Sequence, residues 1–250
     1  MKLIDLSTPI ENDASEPFPP QILYKDHANG AERLGRLAGV EPEAFPERMA
    51  LATEQITLTT HTGTHIDAPY HYGPTSGGEK SQTVDEIPLE WCYGPGVCLD
   101  FTGYPEGSFL EERDVRMALD AITHELAPGE IVLVRTGTDR YWKTDKYMSA
   151  QSGLARSATE YIVGGGARCI GIDAWGLDPP VTRMAEEYKA GNTAALWGTH
   201  FYGRERPYIQ IEKLANLGSI PAVGFTVAAF PVKIAGASAG WCRAVAFVNE

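Results

Sequence analysis

Residues 111–135 read EERDVRMALDAITHELAPGEIVLVR, a stretch that carries the signals for a helix, a turn and a strand in succession. Its first part places apolar residues at helical spacing, at Val115, Leu119, Ile122 and Leu126. The pair Pro128-Gly129 predicts the end of that helix. The apolar residues that follow predict a buried strand over 131–135. A helix that leads directly into a buried strand is typical of an α/β protein.

The same alternation continues on both sides of this stretch. Toward the C-terminus, helices are predicted over 157–163 and 181–189, with a strand over 169–173 between them. The other predicted strands cover 2–6, 55–61, 97–101, 208–211, 224–228, 232–234 and 243–248. Because strands dominate the C-terminal part, the pattern favours a mixed sheet over a purely parallel one. No linker divides the chain, so residues 1–250 are predicted to form a single α/β domain flanked by helices.

The segment 11–50 is acidic and mostly irregular in its pattern. Its prolines are Pro17, Pro19, Pro20, Pro42 and Pro46. Only 31–38 has helical spacing. A long irregular segment inside a compact domain is often an active-site lid, and a surface meander is the alternative. If it is a lid, Phe18 and Tyr24 are candidates for lining a substrate pocket.

The composition excludes several classes of protein. The 250 residues include 33 acidic and 21 basic side chains, which gives a net charge of −12. Nucleic acids and anionic membranes need clustered Lys and Arg, so neither is a predicted partner. The N-terminal residues lack the layout of a signal peptide. The four cysteines are scattered without a CxxC pair, and this is typical of a reduced, cytoplasmic protein.

A cluster of histidines marks the candidate site. Residues 61–71 read HTGTHIDAPYH and hold three of the six histidines together with one carboxylate. Imidazole and carboxylate are the ligands that bind Zn, Mn or Fe in open catalytic sites. The alternative is a polar strand with ordinary hydrogen-bonded histidines, but clustering favours a metal centre.

The spacing within the cluster predicts how its side chains converge. A Gly, a Pro and several β-branched residues argue against a helix. On an extended chain His61, His65, Asp67 and His71 share one face. A flat strand would leave His61 and His65 roughly 13 Å apart, too far for one ion. We therefore expect the strand to bend at Gly63, so that His61, His65 and Asp67 surround one metal.

The motif of residues 61–71 resembles the signature of the metal-dependent cyclase superfamily, which includes bacterial kynurenine formamidase, isatin hydrolase, trans-dienelactone hydrolase and some aromatic polyketide cyclases. The likeness covers most of the chain. Supporting blocks lie at 4–7, 85–91, 129–137, 171–175, 211–217 and 230–241. The resemblance implies a central mixed sheet or partly closed barrel with flanking helices.

The resemblance also implies roles for individual residues. His61, His65 and Asp67 would bind the first divalent metal, and His71 would be the proton donor and acceptor. His200 and Glu212 match the spacing of the family's second metal pair, with Asp67 as the bridge. Zn and Mn are the expected metals, as one ion or two. His200 is expected on a glycine-flanked loop and Glu212 at a strand end, whereas the neighbouring Lys213 is predicted to be solvated.

The resemblance implies a hydrolase that attacks an amide, imide, formamide or lactone carbonyl of a small cyclic or aromatic substrate with metal-activated water. One alternative is a polyketide ring cyclase, because His71-Tyr72-Gly73 resembles those enzymes, although 91–96 and 233–240 resemble the hydrolases. A metal-stabilised binding protein without turnover is the alternative of another class. His71 argues against it, since structural metal sites are closed and need no additional acid–base group. Relatives also suggest a homodimer or homotetramer.

Overall fold

The structure is a computed structural model that describes residues 1–249. The strands are β1 (Lys2–Asp5), β2 (Gln21–Lys25), β3 (Thr53–Thr57), β4 (His65–Asp67), β5 (Thr75–Ser76), β6 (Glu79–Lys80), β7 (Tyr93–Asp100), β8 (Phe109–Leu110), β9 (Ile131–Arg135), β10 (Gly153–Leu154), β11 (Cys169–Ile172), β12 (Ile209–Glu212), β13 (Phe225–Ala228), β14 (Ala239–Trp241) and β15 (Val245–Val248). The helices are α1 (His27–Ala38), α2 (Pro69–Tyr72), α3 (Glu112–Ala121), α4 (Arg156–Gly164), α5 (Val181–Lys189) and α6 (Gly198–Tyr202).

Nine of these strands form one mixed sheet in the order β1-β15-β13-β7-β9-β11-β12-β4-β14. Its centre is parallel, with β7, β9, β11 and β12 side by side. The strands on either side run antiparallel. The sheet curls into a half-barrel with helices against it, which confirms the predicted mixed α/β fold.

Both faces of the central strands are buried. Along β9, Ile131 and Leu133 belong to one apolar cluster, whereas Val132 and Val134 belong to the other. The second cluster also contains residues of α3 and α4, such as Val115 and Ile162. Because successive side chains of a strand point to opposite faces, a continuous apolar run here indicates a sheet covered on both sides. Within residues 1–249, no helix has the length and apolar character needed to cross a bilayer.

Several predicted elements are confirmed and four predictions need correction. The strand at 131–135 and the helix at 181–189 have the predicted bounds. In contrast, α3 ends at Ala121 rather than near Leu126. The reason is local: Thr123 has a φ of 52°, and the His124 amide bonds back to the Leu119 carbonyl. The last two apolar residues of the predicted stripe, Ile122 and Leu126, therefore lie in the chain that follows the helix.

The strand predicted at 232–234 is wrong, because no strand covers those residues in the described chain and the strand forms at β14 instead. β14 pairs with β4, and a Cβ added to its Gly240 would lie 2.7 Å from the Val232 carbonyl oxygen. Close packing requires small residues at this position. Strand propensity reflects only local preference and therefore does not predict a strand there. The segment 11–50 is also more regular than predicted, since it contains β2 and all of α1.

The strand predicted over 55–61 is displaced as well. β3 ends at Thr57 and pairs with β2 as a separate two-stranded sheet. The chain after it, through Thr64, lies outside any strand. His61 therefore lies in a turn rather than on a strand.

Candidate metal centre

The turn before β4 brings His61 back toward His65. Gly63 has a φ of 61°, a conformation that favours glycine, so the predicted bend at this residue is confirmed. The bend is a tight turn rather than a kinked strand, and only His65 and Asp67 share a strand face. Both of these side chains are fully buried.

His71 reaches the same point by a different local structure. The sequence predicted that it continues the extended chain, but it lies on the short helix α2, which begins with Pro69. Proline is well suited to a first helical position because its missing N–H would have no helical partner. In this helix His71 Nε2 lies 3.8 Å from Asp67 Oδ2.

His200 and Glu212 are brought to this centre by the sheet and a helix. Glu212 is the last residue of β12, as predicted, and pairs in register with His65 of β4. His200 lies on the short helix α6, so its predicted place on a loop is wrong. Its Nε2 is 3.6 Å from Glu212 Oε1 and 3.7 Å from Asp67 Oδ2.

Three donor atoms form a small triangle. His61 Nδ1 is 2.8 Å from Asp67 Oδ1, His65 Nε2 is 3.2 Å from the same oxygen, and the two nitrogens are 3.3 Å apart. Ligand atoms about 2.1 Å from a tetrahedral ion lie about 3.4 Å from each other. The triangle therefore has the size that a bound divalent ion requires.

The carboxylates extend this triangle toward His200. Asp67 presents Oδ1 to His61 and His65, and presents Oδ2 to His71 and His200. Glu212 places Oε2 3.6 Å from His65 Nε2 and its other oxygen toward His200. All the residues proposed from the sequence as ligands or as the acid–base group are thus brought together.

The outward nitrogens of the three histidines are occupied. His65 Nδ1 is 2.8 Å from the Gly63 carbonyl oxygen, and His61 Nε2 is 3.1 Å from Ser238 Oγ. His200 Nδ1 contacts the carboxylate of Asp178. Partners of this kind set the tautomer of a metal ligand and leave its other nitrogen free to face the ion.

Asp67 provides the test of whether a metal fits. Among the described residues, neither of its buried carboxylate oxygens has a hydrogen-bond partner, although imidazole nitrogens lie close by. An uncompensated buried carboxylate is costly. The imidazole nitrogens and the Asp67 oxygens thus lie close together without forming hydrogen bonds, as the ligands of a shared metal ion do. The donor set of imidazoles and carboxylates, N and O only, fits a divalent metal ion there.

The charges in the cluster shift several pKa values. Burial alone would raise the pKa of Asp67, but the imidazoles of His71 and His65 outweigh burial and hold it well below its usual value. Burial and the neighbouring Asp67 raise the pKa of Glu212. Burial disfavours protonated His200, yet Asp178 and Asp67 raise its pKa well above the ordinary value.

The pKa of His71 is lowered, in contrast to that of His200. Burial lowers its pKa to about 4, and the nearby Asp67 carboxylate only partly offsets this effect. The imidazole is therefore neutral near pH 7 and is able to accept a proton. Its side chain is 34% exposed, so it is also accessible from outside the cluster.

Three residues that contact the cluster or the turn carrying His61 were missed or misjudged from the sequence. Lys213 is not solvated as predicted: it is buried and paired with Glu16 at 2.6 Å. Asp178, which contacts His200, follows β11, and acidic residues after the carboxyl ends of parallel strands are a sequence signal for this position. Glu16 carried no such signal, because its partners lie far away along the chain.

A cavity of about 370 Å³ opens onto the cluster. His61, His71, His200 and Glu212 line one part of it, together with Glu16 and Lys213. Its apolar wall includes Phe18, Trp175, Met184 and Trp197. The prediction that Phe18 lines a pocket is confirmed, whereas Tyr24 is outside this lining and 63% exposed. The cavity thus combines flat aromatic walls with a polar, metal-binding end.

The remaining histidines and the cysteines have ordinary surroundings. His27 is exposed, and His124 Nε2 lies 3.0 Å from the Glu130 carboxylate, away from the cluster. All four cysteines lie in the described part of the chain and are free thiols. Three of them are buried, as expected for small core residues.

Known proteins resemble this chain in sequence and in fold. A family model described as "Putative cyclase" matches residues 4–179. The chain is 29% identical over 213 residues to the isatin hydrolase of Roseibium aggregatum, covering 78% of this chain and 74% of the relative. It is also 29% identical over 192 residues to the kynurenine formamidase of Maricaulis maris, covering 76% of this chain and 78% of the relative.

A crystal structure of an isatin hydrolase bound to the product analogue thioisatinate has the same fold, with a TM-score of 0.78 at 19% identity. The superposition covers 100% of this chain and 93% of that chain. Because the family model spans more than half of the sequence, the chain belongs to the cyclase family. It is a metal-dependent hydrolase of that family.

Proposed function

We propose that this enzyme hydrolyses the acyl C–N or C–O bond of a small cyclic or aromatic amide, imide, formamide or lactone, with water attacking the carbonyl carbon. The observation that carries the proposal is the triangle of His61, His65 and Asp67, of which His61 lines an aromatic-walled cavity while the other two lie buried behind it. Trp175, Trp197 and Phe18 suit a flat ring system, because aromatic rings stack on one another. The activities named for the isatin hydrolase and kynurenine formamidase relatives support this substrate class.

In this proposal the residues hold one or two divalent ions. His61, His65 and Asp67 would hold the first, and His200 and Glu212 would hold the second together with Asp67. A bound divalent ion lowers the pKa of water and polarises a carbonyl group. We propose Zn or Mn, both of which accept imidazole and carboxylate ligands.

His71 is the proposed acid–base group. It lines the cavity, and its imidazole is neutral near pH 7 because its pKa is about 4. It accepts a proton from the attacking water and delivers a proton to the leaving nitrogen or oxygen. Its short helix holds it beside Asp67 while leaving it open to the cavity.

The test starts from protein stripped of metal with a chelator and reloaded with Zn²⁺ or Mn²⁺. Proton release is followed with a pH indicator for isatin, an aryl formamide, a cyclic imide and an aryl lactone. A carbocyclic ketone of the same shape, which has no hydrolysable bond, is the control. Metal-dependent acid production from at least one compound is expected. Metal-loaded protein that hydrolyses none of them refutes the proposal, and elemental analysis gives the number of ions.

We also propose that the protein forms a homo-oligomer. The separate sheet of β2 and β3 exposes Leu23, Tyr24 and Ile56, which are 57%, 63% and 48% exposed. Exposed apolar side chains on a two-stranded sheet that is separate from the main sheet are typical of an interface. Light scattering coupled to size-exclusion chromatography tests this, with a dimer or tetramer expected. A mass of 27.2 kDa, that of one chain, would refute it.

A further inference from the structure

A buried ion pair joins the N-terminal loop to the turn that carries His61. Lys213 Nζ donates to Glu16 Oε2 at 2.6 Å and to the His61 carbonyl oxygen at 2.6 Å. The other oxygen of Glu16 accepts the Gly63 amide at 2.7 Å. The two charged side chains, each 3% exposed, thus hold the turn at two backbone positions.

The backbone of Lys213 holds the same segment. Its φ is 59°, in the left-handed region that residues other than glycine rarely adopt. In this conformation its carbonyl oxygen accepts the hydroxyl of Thr64 at 2.6 Å. Strained backbone persists only where surrounding contacts determine it. Lys213 directly follows Glu212 in the chain. The same short segment therefore supplies a carboxylate of the cluster and the lysine that holds the turn at His61.

Glu16, the member of the pair on the N-terminal loop, belongs to a stretch that forms one wall of the cavity. Glu16, Pro17 and Phe18 all line the cavity. A second anchor lies further back along the same loop, where Lys143 contacts Glu11 at 2.6 Å and Asp13 at 3.3 Å. This second anchor is more exposed than the Glu16–Lys213 pair, and no hydrogen bond or ion pair within residues 1–249 joins it to the metal cluster, which makes it a natural control.

The burial of the pair indicates what it does. Removing two charges from water costs free energy that their attraction often only balances, and a well-packed apolar pair is frequently as stable. The Glu16–Lys213 pair is therefore a poor device for stability alone. It does specify geometry, because its directional hydrogen bonds end on His61 and Gly63.

We propose that Glu16 and Lys213 are positioning residues that couple the loop over the cavity to the metal-binding turn. Holding the turn in its binding geometry favours metal binding, and bound metal in turn favours the closed loop, because coupling between two sites is reciprocal. The inference rests on the proposed role of His61 as a ligand. It adds to the proposed function that metal binding stabilises the loop that forms one wall of the cavity.

The first test needs only the wild-type chain. Hydrogen exchange is measured by mass spectrometry with and without Zn²⁺. We expect Zn²⁺ to slow exchange in peptides covering 58–67 and also in those covering 11–18. Slower exchange at 58–67 with no change at 11–18 would overturn the coupling while leaving the metal site intact. Protein that binds no Zn²⁺ would overturn the proposed function together with this inference.

Variants then identify the pair as the connection. The double variant Glu16→Gln with Lys213→Met removes both charges, and a chelator-competition titration gives its Zn²⁺ affinity. We expect affinity to fall roughly 10–100-fold, as for other residues that orient metal ligands, and the response of 11–18 to disappear. Lys213→Arg, which keeps the charge, should retain much of both properties. Lys143→Met should leave both at wild-type values.

Two results would refute the assignment. One is a double variant with wild-type Zn²⁺ affinity and a wild-type loop response. The other is a Lys143→Met variant that loses as much affinity as the double variant, since a general loosening of the loop would then explain the effect. If the double variant does not fold, the single variant Glu16→Gln takes its place in both measurements, and wild-type values for it would refute the assignment.

Discussion

Replacing Asp178 by Asn should weaken metal binding at His200 while keeping the shape of the site. Asp178 is buried, and one of its oxygens contacts His200 Nδ1 and accepts the His200 amide at 3.2 Å. Its other oxygen accepts the Thr199 amide at 2.9 Å. An asparagine can replace only one of these acceptors, because its second atom is an NH₂ group that donates.

The magnitude follows from the tautomer of His200. If the asparagine keeps the bond to Thr199, its NH₂ faces His200 Nδ1, which must then become an acceptor. The imidazole proton moves to Nε2, the nitrogen that lies 3.7 Å from Asp67 Oδ2 and 3.6 Å from Glu212 Oε1. A protonated nitrogen cannot bind a metal. Loss of such an orienting carboxylate costs about 10–100-fold in affinity, or about 1.4–2.7 kcal/mol.

The assay is a calorimetric titration of stripped protein with Zn²⁺ or Mn²⁺. Asp173→Asn is the matched control, because Asp173 is also buried and also accepts backbone amides, those of Thr136 and Gly137. It should lower stability without changing metal affinity. Wild-type affinity at every site in Asp178→Asn would refute the argument, as would an equal loss in the control.

Three further predictions concern the cluster itself. His65→Ala should lose most bound metal by elemental analysis while its circular dichroism stays native, and full occupancy would contradict its role as a ligand. His71→Gln should keep the metal and lose about 10²–10⁴-fold in kcat, the usual contribution of an acid–base group, so an active variant would exclude that role. Metal affinity should fall as the pH drops, beginning above pH 6.5, because raised pKa values keep protons on His61 and His200 that the metal must displace. At saturating metal, His71 should stay neutral until the pH nears 4, so loss of kcat in step with metal affinity would refute this separation.

The parts of the fold that could be predicted are those with strong local patterns. The strand at 131–135 and the helix at 181–189 were correct at both ends, because the strand is a short unbroken apolar run and the helix has apolar residues at helical spacing. β14 was missed because its Ala and Gly residues have low strand propensity. It forms where close packing against Val232 and pairing with β4 require small residues. Pairing between distant segments is invisible to a local pattern.

By itself, the sequence determined the kinds of ligand in the cluster, the bend at Gly63 and the class of chemistry, because these depend on residue types close together in the chain. Only the tertiary structure decided which nitrogen of each histidine faces the centre and that Asp178 orients His200. It alone buried Lys213 against Glu16. These features depend on segments that meet only when the sheet is assembled, since β12 carries Glu212 to the side of His65. Burial then makes each contact strong, because water no longer competes for the same charges and hydrogen bonds.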